Sequence, residues 1–346
     1  MPPRKTIAVP EPPPLDPARG LTLDQILGNE PVKAFLRRAW RDRRLPQALL
    51  LSGPAGIGKT TMAFALAREI VADGGDPATH ARAIKVARAV HPDIIEVSPN
   101  SASGMIRVDD VRSLEDRVAT GPLESPRKIV LIEPADRMNE SAANCLLKIL
   151  EEPPGHVQFI LISSEPSRML GTIRSRSSEM PLEPVPGEML AKWLREKRGV
   201  GEDQSNLIAG LAEGRPGLAL SLCDEDTLQR RKKILDALKL LLDHGFASIF
   251  RAADAFAGAD SAADLLMAVT LLRDALVIKT GGTGLLNRDL EPELRALADG
   301  RSAEGLLESA DRLHAASAEA PYFYTPAARA HFVECLLTEV GRLLRS

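Results

Sequence analysis

The stretch that decides the fold is Gly53-Pro54-Ala55-Gly56-Ile57-Gly58-Lys59-Thr60. Its spacing, G-x-x-x-x-G-K-[ST], is typical of loops that bind the phosphates of nucleoside triphosphates. The run before it, Ala48 to Leu51, is apolar and typical of a short buried strand. The run after it, Thr61 to Val71, has apolar side chains at the spacing of a helix with one buried face. The loop is therefore predicted to connect a strand to a helix, as this kind of phosphate site requires.

The residue types explain how such a loop binds an anion. Glycines let backbone N–H groups converge on one phosphate, and the next helix adds the positive end of its dipole. Lys59 is predicted to reach the β- and γ-phosphates, and the hydroxyl of Thr60 to ligate Mg²⁺. A loop can keep this shape after its ligand has been lost, so the sequence leaves nucleotide binding itself open.

The composition is that of an ordinary soluble globular protein of two or three domains. The chain has 346 residues, of which 26% are charged and 44% apolar, and its net charge of −3 does not indicate a general nucleic-acid binder. The cysteines Cys145, Cys223 and Cys335 lie far apart, without metal-ligand spacing, so no zinc is expected. No apolar run reaches the length of about 18 residues that a membrane span needs. We expect a cytoplasmic protein with a disordered, proline-rich leader at residues 1–20.

Predicted strands and helices alternate in the first half of the chain. Besides the strand before the loop, apolar runs predict strands at 94–97, 128–132 and 158–162. This order predicts an α/β fold with a parallel sheet flanked by helices and ligands at the carboxyl ends of the strands. Glu133 and Ser164 both follow such strand ends.

Only helical patterns remain after Pro186, which predicts an all-α second half. Helices are predicted at 188–198, 204–211, 217–222, 226–244, 261–279, 288–298, 303–318 and 328–344.

A basic helix is predicted before the first strand, from about Pro31 to Arg43. Its polar face and the residue that follows carry Arg37, Arg38, Arg41, Arg43 and Arg44. This face is either simply solvated or in contact with a phosphate backbone or an acidic partner, and the sequence leaves both interpretations open.

Four stretches occur together in a fixed order. They are Arg44-Leu45-Pro46-Gln47-Ala48, the phosphate loop, Asn144-Cys145-Leu146-Leu147-Lys148-Ile149-Leu150-Glu151-Glu152-Pro153-Pro154, and Thr172-Ile173-Arg174-Ser175-Arg176-Ser177. On these residues the chain resembles the bacterial clamp-loader subunits of the AAA+ superfamily, over roughly 21–185. Within that family it looks most like the delta-prime subunits of DNA polymerase III.

The resemblance implies a domain order, a ligand and partners. It implies an AAA+ module at 21–185, a helical lid at 186–225 and an all-α collar domain at 226–346. The partners it implies are gamma/tau and delta subunits, the sliding clamp and primed DNA. The residues that it implies for ATP are Gly53, Pro54, Ala55, Gly56, Ile57, Gly58, Lys59, Thr60 and Thr61, with Thr60 and Glu133 at Mg²⁺.

Two further residues are implied to take part in hydrolysis. Arg176 matches the arginine with which the family completes the ATP site of a neighbouring subunit, although Ser177 replaces the usual cysteine. The alternative is a purely structural role, in which Arg176 is a surface arginine in an ion pair within the chain. Ser164 matches sensor 1, a polar residue near the γ-phosphate, but a serine at a strand end is also common as a simple cap.

Two positions depart from the pattern of the family's ATPases. Those enzymes end the third strand in Asp-Glu, whereas this chain has Glu133-Pro134. Pro134 carries no group that can act as a general base. The rate enhancement that a general base gives, about 10²–10⁴-fold, is therefore absent unless Asp136 substitutes. Gly217 stands where the motor subunits place the sensor 2 arginine, with Arg215 nearby. Many relatives also carry a four-cysteine zinc module after the phosphate loop, and its cysteines are absent here.

We therefore expect a delta-prime-like subunit that helps to load the sliding clamp onto primed DNA. It would belong to a DNA polymerase holoenzyme, bind ATP weakly or structurally, and be a weak or inactive ATPase itself. One alternative is an ATP-hydrolysing gamma/tau-like motor subunit. The other is a stand-alone AAA+ DNA-remodelling helicase, which would assemble into homohexamers.

Overall fold

The computed structural model describes residues 18–99, 104–223, 227–243, 248–256, 261–320 and 325–345. Residues 1–17 of the predicted leader and both ends of the helix predicted at 226–244 lie outside this set. The chain divides into two compact units, one made of most residues up to Glu183 and one of those from Pro184 onward. The separate lid at 186–225 and collar at 226–346 remain predictions.

Helices and strands alternate along the first unit. In chain order they are α1 (Glu30–Arg41), β1 (Ala48–Ser52), α2 (Lys59–Ala72), α3 (Ala81–Ala87), β2 (Ile94–Val97), α4 (Val108–Ala119), β3 (Lys128–Ile132), α5 (Glu140–Glu151), β4 (Val157–Ser163), α6 (Gly171–Ser175) and β5 (Ser178–Pro181). Single 3₁₀ turns lie at Leu23–Gln25, Ala135–Arg137 and Pro166–Arg168.

The strands form one parallel sheet in the order β2-β3-β4-β1-β5. Every residue of β1, β3 and β4 is buried, whereas burial alternates along the edge strands β2 and β5. The inner strands are covered on both faces and so read as continuous apolar runs. The predicted α/β fold class is confirmed.

Alternate residues of the inner strands supply two separate cores. Leu49 and Leu51 of β1 belong to the cluster that contains α1 and α2, whereas Ala48 and Leu50 belong to the cluster that contains α4 and α5. This division follows from the pleat, because successive side chains of a strand point to opposite faces. The carboxyl ends of β1, β3 and β4 are thereby left at one edge between the two helical layers.

Among its described residues the second unit contains helices and turns but no strand. Its helices are α7 (Gly187–Arg198), α8 (Glu202–Ala212), α9 (Pro216–Ser221), α10 (Thr227–Asp243), α11 (Ile249–Ala253), α12 (Ser261–Lys279), α13 (Glu291–Ala298), α14 (Ala303–Glu319) and α15 (Pro326–Leu343), with a 3₁₀ turn at Arg288–Leu290. The short α11 had no counterpart among the predicted helices. None of the described helices combines the length and the apolar character that a membrane crossing requires.

Candidate nucleotide-binding site

The phosphate loop connects β1 to α2, as the sequence predicted. Gly53, Gly56 and Gly58 have φ angles of 138°, 78° and 102°, which side chains disfavour. A Cβ atom at Gly53 would lie 2.7 Å from the carbonyl oxygen of Leu182, so this position also lacks space for one. The tip of the loop, residues 54–56, is exposed, which leaves its backbone accessible to a ligand.

Lys59 is the first residue of α2 and lies almost fully buried in this loop. Its Nζ donates hydrogen bonds to the carbonyl oxygens of Gly53 (2.7 Å) and Pro54 (2.9 Å) and to Oγ of Ser164 (3.0 Å). Burial lowers the pKa of Lys59 to about 8, although Glu133 and Asp136 act in the opposite direction. The lysine is thus placed for a phosphate but already has three oxygen partners.

Thr60 and Glu133, the two predicted Mg²⁺ ligands, lie in contact with each other. Oγ1 of Thr60 donates a hydrogen bond of 2.6 Å to Oε1 of Glu133. Burial raises the pKa of the Glu133 carboxyl, while this hydrogen bond and the charge of Lys59 lower it. A hydroxyl and a carboxylate oxygen are suitable ligands for Mg²⁺, so the side chains present fit that ion.

Ser164 follows β4 and lies beside Lys59, in line with the predicted position of a sensor residue. Its backbone N–H donates to Oδ1 of Asp136 at 3.2 Å. Asp136 therefore lies near Lys59, although its carboxylate is engaged by the end of β4. Whether Asp136 replaces the missing base, and whether Ser164 senses a phosphate, stay predictions.

Pro134 occupies the position after Glu133, between β3 and the 3₁₀ turn at Ala135–Arg137. Its side chain has no atom that accepts a proton or orients water. Glu133 is already bonded to Thr60, as described above. The position after Glu133, where the resemblance implies a glutamate, therefore carries no carboxylate.

Arg176 lies apart from this cluster, directly after α6. Its Nη2 donates to Oε1 of Glu151 at 2.9 Å, and its Nη1 donates to the carbonyl oxygen of Thr172 at 3.2 Å. The Arg176 side chain is 38% exposed and that of Glu151 54%. The ion pair that the sequence left as an alternative is therefore present, on a side chain that solvent and partners can reach.

The sensor 2 position lies in the second unit. Gly217 is the second residue of α9 and Arg215 is its N-cap. The Arg215 guanidinium donates to the carbonyl oxygen of Ala212 (3.0 Å) and pairs with Glu213 (3.1 Å). Burial lowers its pKa. Arg215 thus fixes the turn between α8 and α9 with its side chain, which makes no hydrogen bond to the first turn of α9.

Two of the four family stretches are joined by hydrogen bonds. Nε2 of Gln47 donates to the carbonyl oxygens of Pro153 (3.2 Å) and Pro154 (2.6 Å). Gln158 of β4 donates to the carbonyl oxygens of Pro46 (2.8 Å) and Gln47 (3.1 Å). The segment before β1 and the segment after α5 are therefore fixed against each other at the end of the sheet opposite the phosphate loop.

The basic helix α1 and the residues directly after it make several ion pairs within the first unit. Arg37 pairs with Asp24 (2.9 Å) and Glu69 (3.4 Å), and Arg43 pairs with Asp73 (3.1 Å). These pairs account for part of the basic face without a partner molecule. They do not decide between the two interpretations left open above.

No group of three or more His, Cys, Asp or Glu side chains suited to a metal ion occurs among the described residues. The absence of zinc remains a prediction.

Two family models match the chain. The first, described as DNA polymerase III, delta subunit, matches residues 28–186. The second, described as DNA polymerase III, delta subunit, C terminal, matches residues 225–319. Together they span the α/β unit and much of the helical unit.

Curated relatives carry related names. DNA polymerase III subunit delta' of Pseudomonas aeruginosa is 38% identical over 210 residues, which are 58% of this chain and 63% of that protein. The subunit delta' of Escherichia coli is 30% identical over 257 residues, 73% of this chain and 76% of that protein. A gamma/tau subunit of Mycobacterium bovis is 32% identical over 71% of this chain but only 44% of its own length.

The E. coli relative is matched along about three quarters of its length, whereas less than two thirds of the P. aeruginosa relative is matched. The match to the gamma/tau subunit covers less than half of that protein. Agreement of the two family models with the delta' relatives establishes the family. The chain belongs to the DNA polymerase III delta-prime subunit family.

Proposed function

We propose that the chain acts as the delta-prime-type subunit of a bacterial clamp loader. In that role it helps to place the sliding clamp on primed DNA during replication, in the cytoplasm, together with gamma/tau- and delta-type subunits. The names of the relatives support this assignment, since they are subunits delta' and gamma/tau of DNA polymerase III.

One observation carries the proposal that this subunit is a poor ATPase. The phosphate loop is complete, with Lys59 and Thr60 at its end, but Pro134 stands where a carboxylate would orient the attacking water. The site therefore retains groups that bind phosphate and lacks a group that activates water, whose contribution is about 10²–10⁴-fold. Such a site holds a nucleotide without turning it over efficiently.

The residues of the loop fit ATP and Mg²⁺ but bind them weakly in this proposal. Bound ATP and Mg²⁺ would supply the phosphoryl group and the divalent charge, held by Gly53 to Thr61 with Glu133. Lys59 would have to exchange the carbonyl oxygens of Gly53 and Pro54 for phosphate oxygens. Thr60 would have to turn from Glu133. Because these contacts are lost on binding, the net gain in free energy is reduced.

Arg176 is proposed to act on the ATP of a neighbouring subunit. A guanidinium that contacts a transferring phosphoryl group spreads and neutralises its charge, which is worth about 10³–10⁵ in rate. Arg176 is partly exposed, as a residue that reaches another chain must be. Helix α6, which precedes Arg176, comes after β4, Ser164 and the 3₁₀ turn at Pro166–Arg168.

The experiment is a DNA-stimulated ATPase assay on a reconstituted clamp loader that contains this chain. Arg176→Ala is expected to remove the contribution that one nucleotide site, the site completed by Arg176, makes to the total ATPase rate. The complex should still assemble. Arg168→Ala is the matched control, since Arg168 is also an exposed arginine, paired with Glu165 at 2.6 Å just before α6. An unchanged rate with Arg176→Ala would show that the trans assignment is wrong.

The gamma/tau-type motor remains a second candidate because a gamma/tau subunit matches 71% of the chain. An ATPase assay on the isolated chain distinguishes the motor from the delta-prime-type subunit. Robust Mg²⁺-dependent release of phosphate that disappears in Lys59→Ala would favour the motor. A stand-alone helicase would instead form homohexamers, which sizing of the purified chain would reveal.

A further inference from the structure

We propose that Glu151 is a positioning residue for Arg176: it holds the guanidinium in the orientation in which it meets the neighbouring nucleotide. This inference rests on the proposed role of Arg176 in trans. Glu151 is the last residue of α5, and Arg176 directly follows α6, so the pair joins the ends of two separate helices.

Two contacts on two different nitrogens fix the plane of the guanidinium. Nη2 is bonded to the Glu151 carboxylate at 2.9 Å and Nη1 to the Thr172 carbonyl at 3.2 Å. A single contact would leave the group free to rotate about it. Five N–H groups are present on an arginine. These contacts use two, and the other three have no hydrogen-bond partner in the described part of the chain.

The base of the Arg176 side chain is also fixed. Ile173 of α6 is completely buried, and the hydroxyls of Ser175 and Ser177 donate to the carbonyl oxygens of Thr172 (3.0 Å) and Ile173 (2.9 Å). The backbone at Arg176 is therefore anchored to the core. With the backbone of Arg176 anchored, only its long side chain can still move, and Glu151 restrains that side chain.

The carboxylate of Glu151 is held in place from its own side. Helix α5 ends at Glu151, and the residues beyond Glu152 are tied to Gln47 through the carbonyl oxygens of Pro153 and Pro154. Glu151 and Arg176 are thus placed by two anchored segments, which brings them together despite a separation of 25 residues in the sequence.

A role in stability alone does not account for this pair. Both side chains are partly exposed, at 38% and 54%, and exposed ion pairs contribute little to folding. By contrast, a long side chain that is already oriented before the reaction raises the rate about 2- to 12-fold. The entropy cost of ordering that side chain then no longer adds to the activation free energy. The effect of losing Glu151 should therefore appear in the rate and not in the melting temperature.

The test uses the reconstituted complex with only the adjacent nucleotide site active. Glu151→Ala is expected to lower kcat about 2- to 12-fold with little change in KM, since the contact orients a group that acts in the transition state. Glu151→Gln keeps an acceptor oxygen and should recover most of the rate. Glu152→Ala is the matched control, because Glu152 is the adjacent exposed glutamate and makes no hydrogen bond or ion pair with Arg176 in the described structure.

A double-mutant cycle makes the outcome specific. In a complex with Arg176→Ala, the further change Glu151→Ala should have no effect on the rate. If Arg176→Ala lowers the rate and Glu151→Ala does not, the positioning inference alone is overturned. A faster Glu151→Ala complex also overturns it, because Glu151 would then mask Arg176. An unchanged rate with Arg176→Ala overturns the proposed function and this inference together.

Discussion

At the scale of single residues, Lys59 combines a charge with almost complete burial. Its ammonium group is held by two carbonyl oxygens of its own loop and by Ser164. Burial lowers its pKa to about 8, so proton loss begins within the range of ordinary assay buffers. A phosphate at this position would favour the charged form and bring the pKa back up.

The nucleotide affinity of the loop is therefore expected to fall with rising pH. A pKa near 8 leaves Lys59 mostly charged at pH 7 and mostly neutral at pH 9, while the bound form stays charged. Linkage then predicts an affinity about 10-fold weaker at pH 9 than at pH 7. Equilibrium titration with a fluorescent ATP analogue measures this directly. Lys59→Ala provides the control, and its residual binding should not change over this range.

The effect of Lys59 on the stability of the fold changes with pH in the opposite direction to its effect on nucleotide affinity. A lysine whose pKa is lowered by the fold is charged more readily in the unfolded chain, so its burial opposes folding at pH 7. This penalty disappears as the pH rises from about 8 towards the unperturbed value of 10.5. Affinity for a phosphate and stability of the fold thus respond to pH in opposite directions at this residue.

At the scale of helices and strands, tight turns restrict the sequence most strongly. Gly214 follows α8 with a φ of +74°, and a Cβ atom there would lie 2.3 Å from the carbonyl oxygen of Val185. Gly199 ends α7 with a similar φ of +65° but has no atom within 4 Å of its Cβ position. The two glycines share a backbone conformation and differ in the space around them.

This pair predicts a large difference between two alanine variants. Gly199→Ala should lower the free energy of unfolding by about 1 kcal/mol, the strain of a left-handed backbone. Gly214→Ala should lower it by about 3 kcal/mol or more, because the backbone of Val185 has to move as well. Chemical denaturation of both variants measures the difference. Equal losses would show that the segment around Val185 yields without strain.

The sequence predicted the inner strands and missed an edge strand for one physical reason. β1, β3 and β4 are buried on both faces and are apolar over most of their length, which makes them recognisable. β5 pairs with β1 along residues that include Glu179 and Pro181, and it has no apolar run. Its position is set by tertiary pairing, which no local pattern records.

At the scale of the whole molecule, the predictable part of the candidate site was the part encoded locally. The phosphate loop, Glu133 and Ser164 are found from a motif and from the ends of three strands, and the fold brings them together around Lys59. The partner of Arg176 was not predicted, because Glu151 lies 25 residues away in the sequence, across a strand and a helix. The only available signal was that both residues lie within stretches characteristic of the family.

Catalysis by this chain would need more than one restored residue. Pro134→Glu in the isolated chain is expected to give no Mg²⁺-dependent ATP hydrolysis, because Gly217 supplies no cation at the sensor 2 position. Any arginine contributed in trans is also missing from a single chain. Phosphate release measures the outcome, with Lys59→Ala combined with Pro134→Glu as the background. A large gain from Pro134→Glu alone would show that Gly217 matters less than proposed here.

The contact between Gln47 and the chain after α5 bears on how this protein can be recombined with its relatives. Gln47 bonds to carbonyl oxygens, which every residue type offers, so the contact itself does not select for proline. Pro153 and Pro154 serve to end the helix, because proline cannot continue it. Consider a chimaera that takes residues 46–47 from one parent and residues 153–154 from another. It keeps the contact only if the first parent supplies the side-chain amide of Gln47 and the second supplies the prolines that end α5. These two segments therefore form a single unit of exchange, although more than 100 residues separate them.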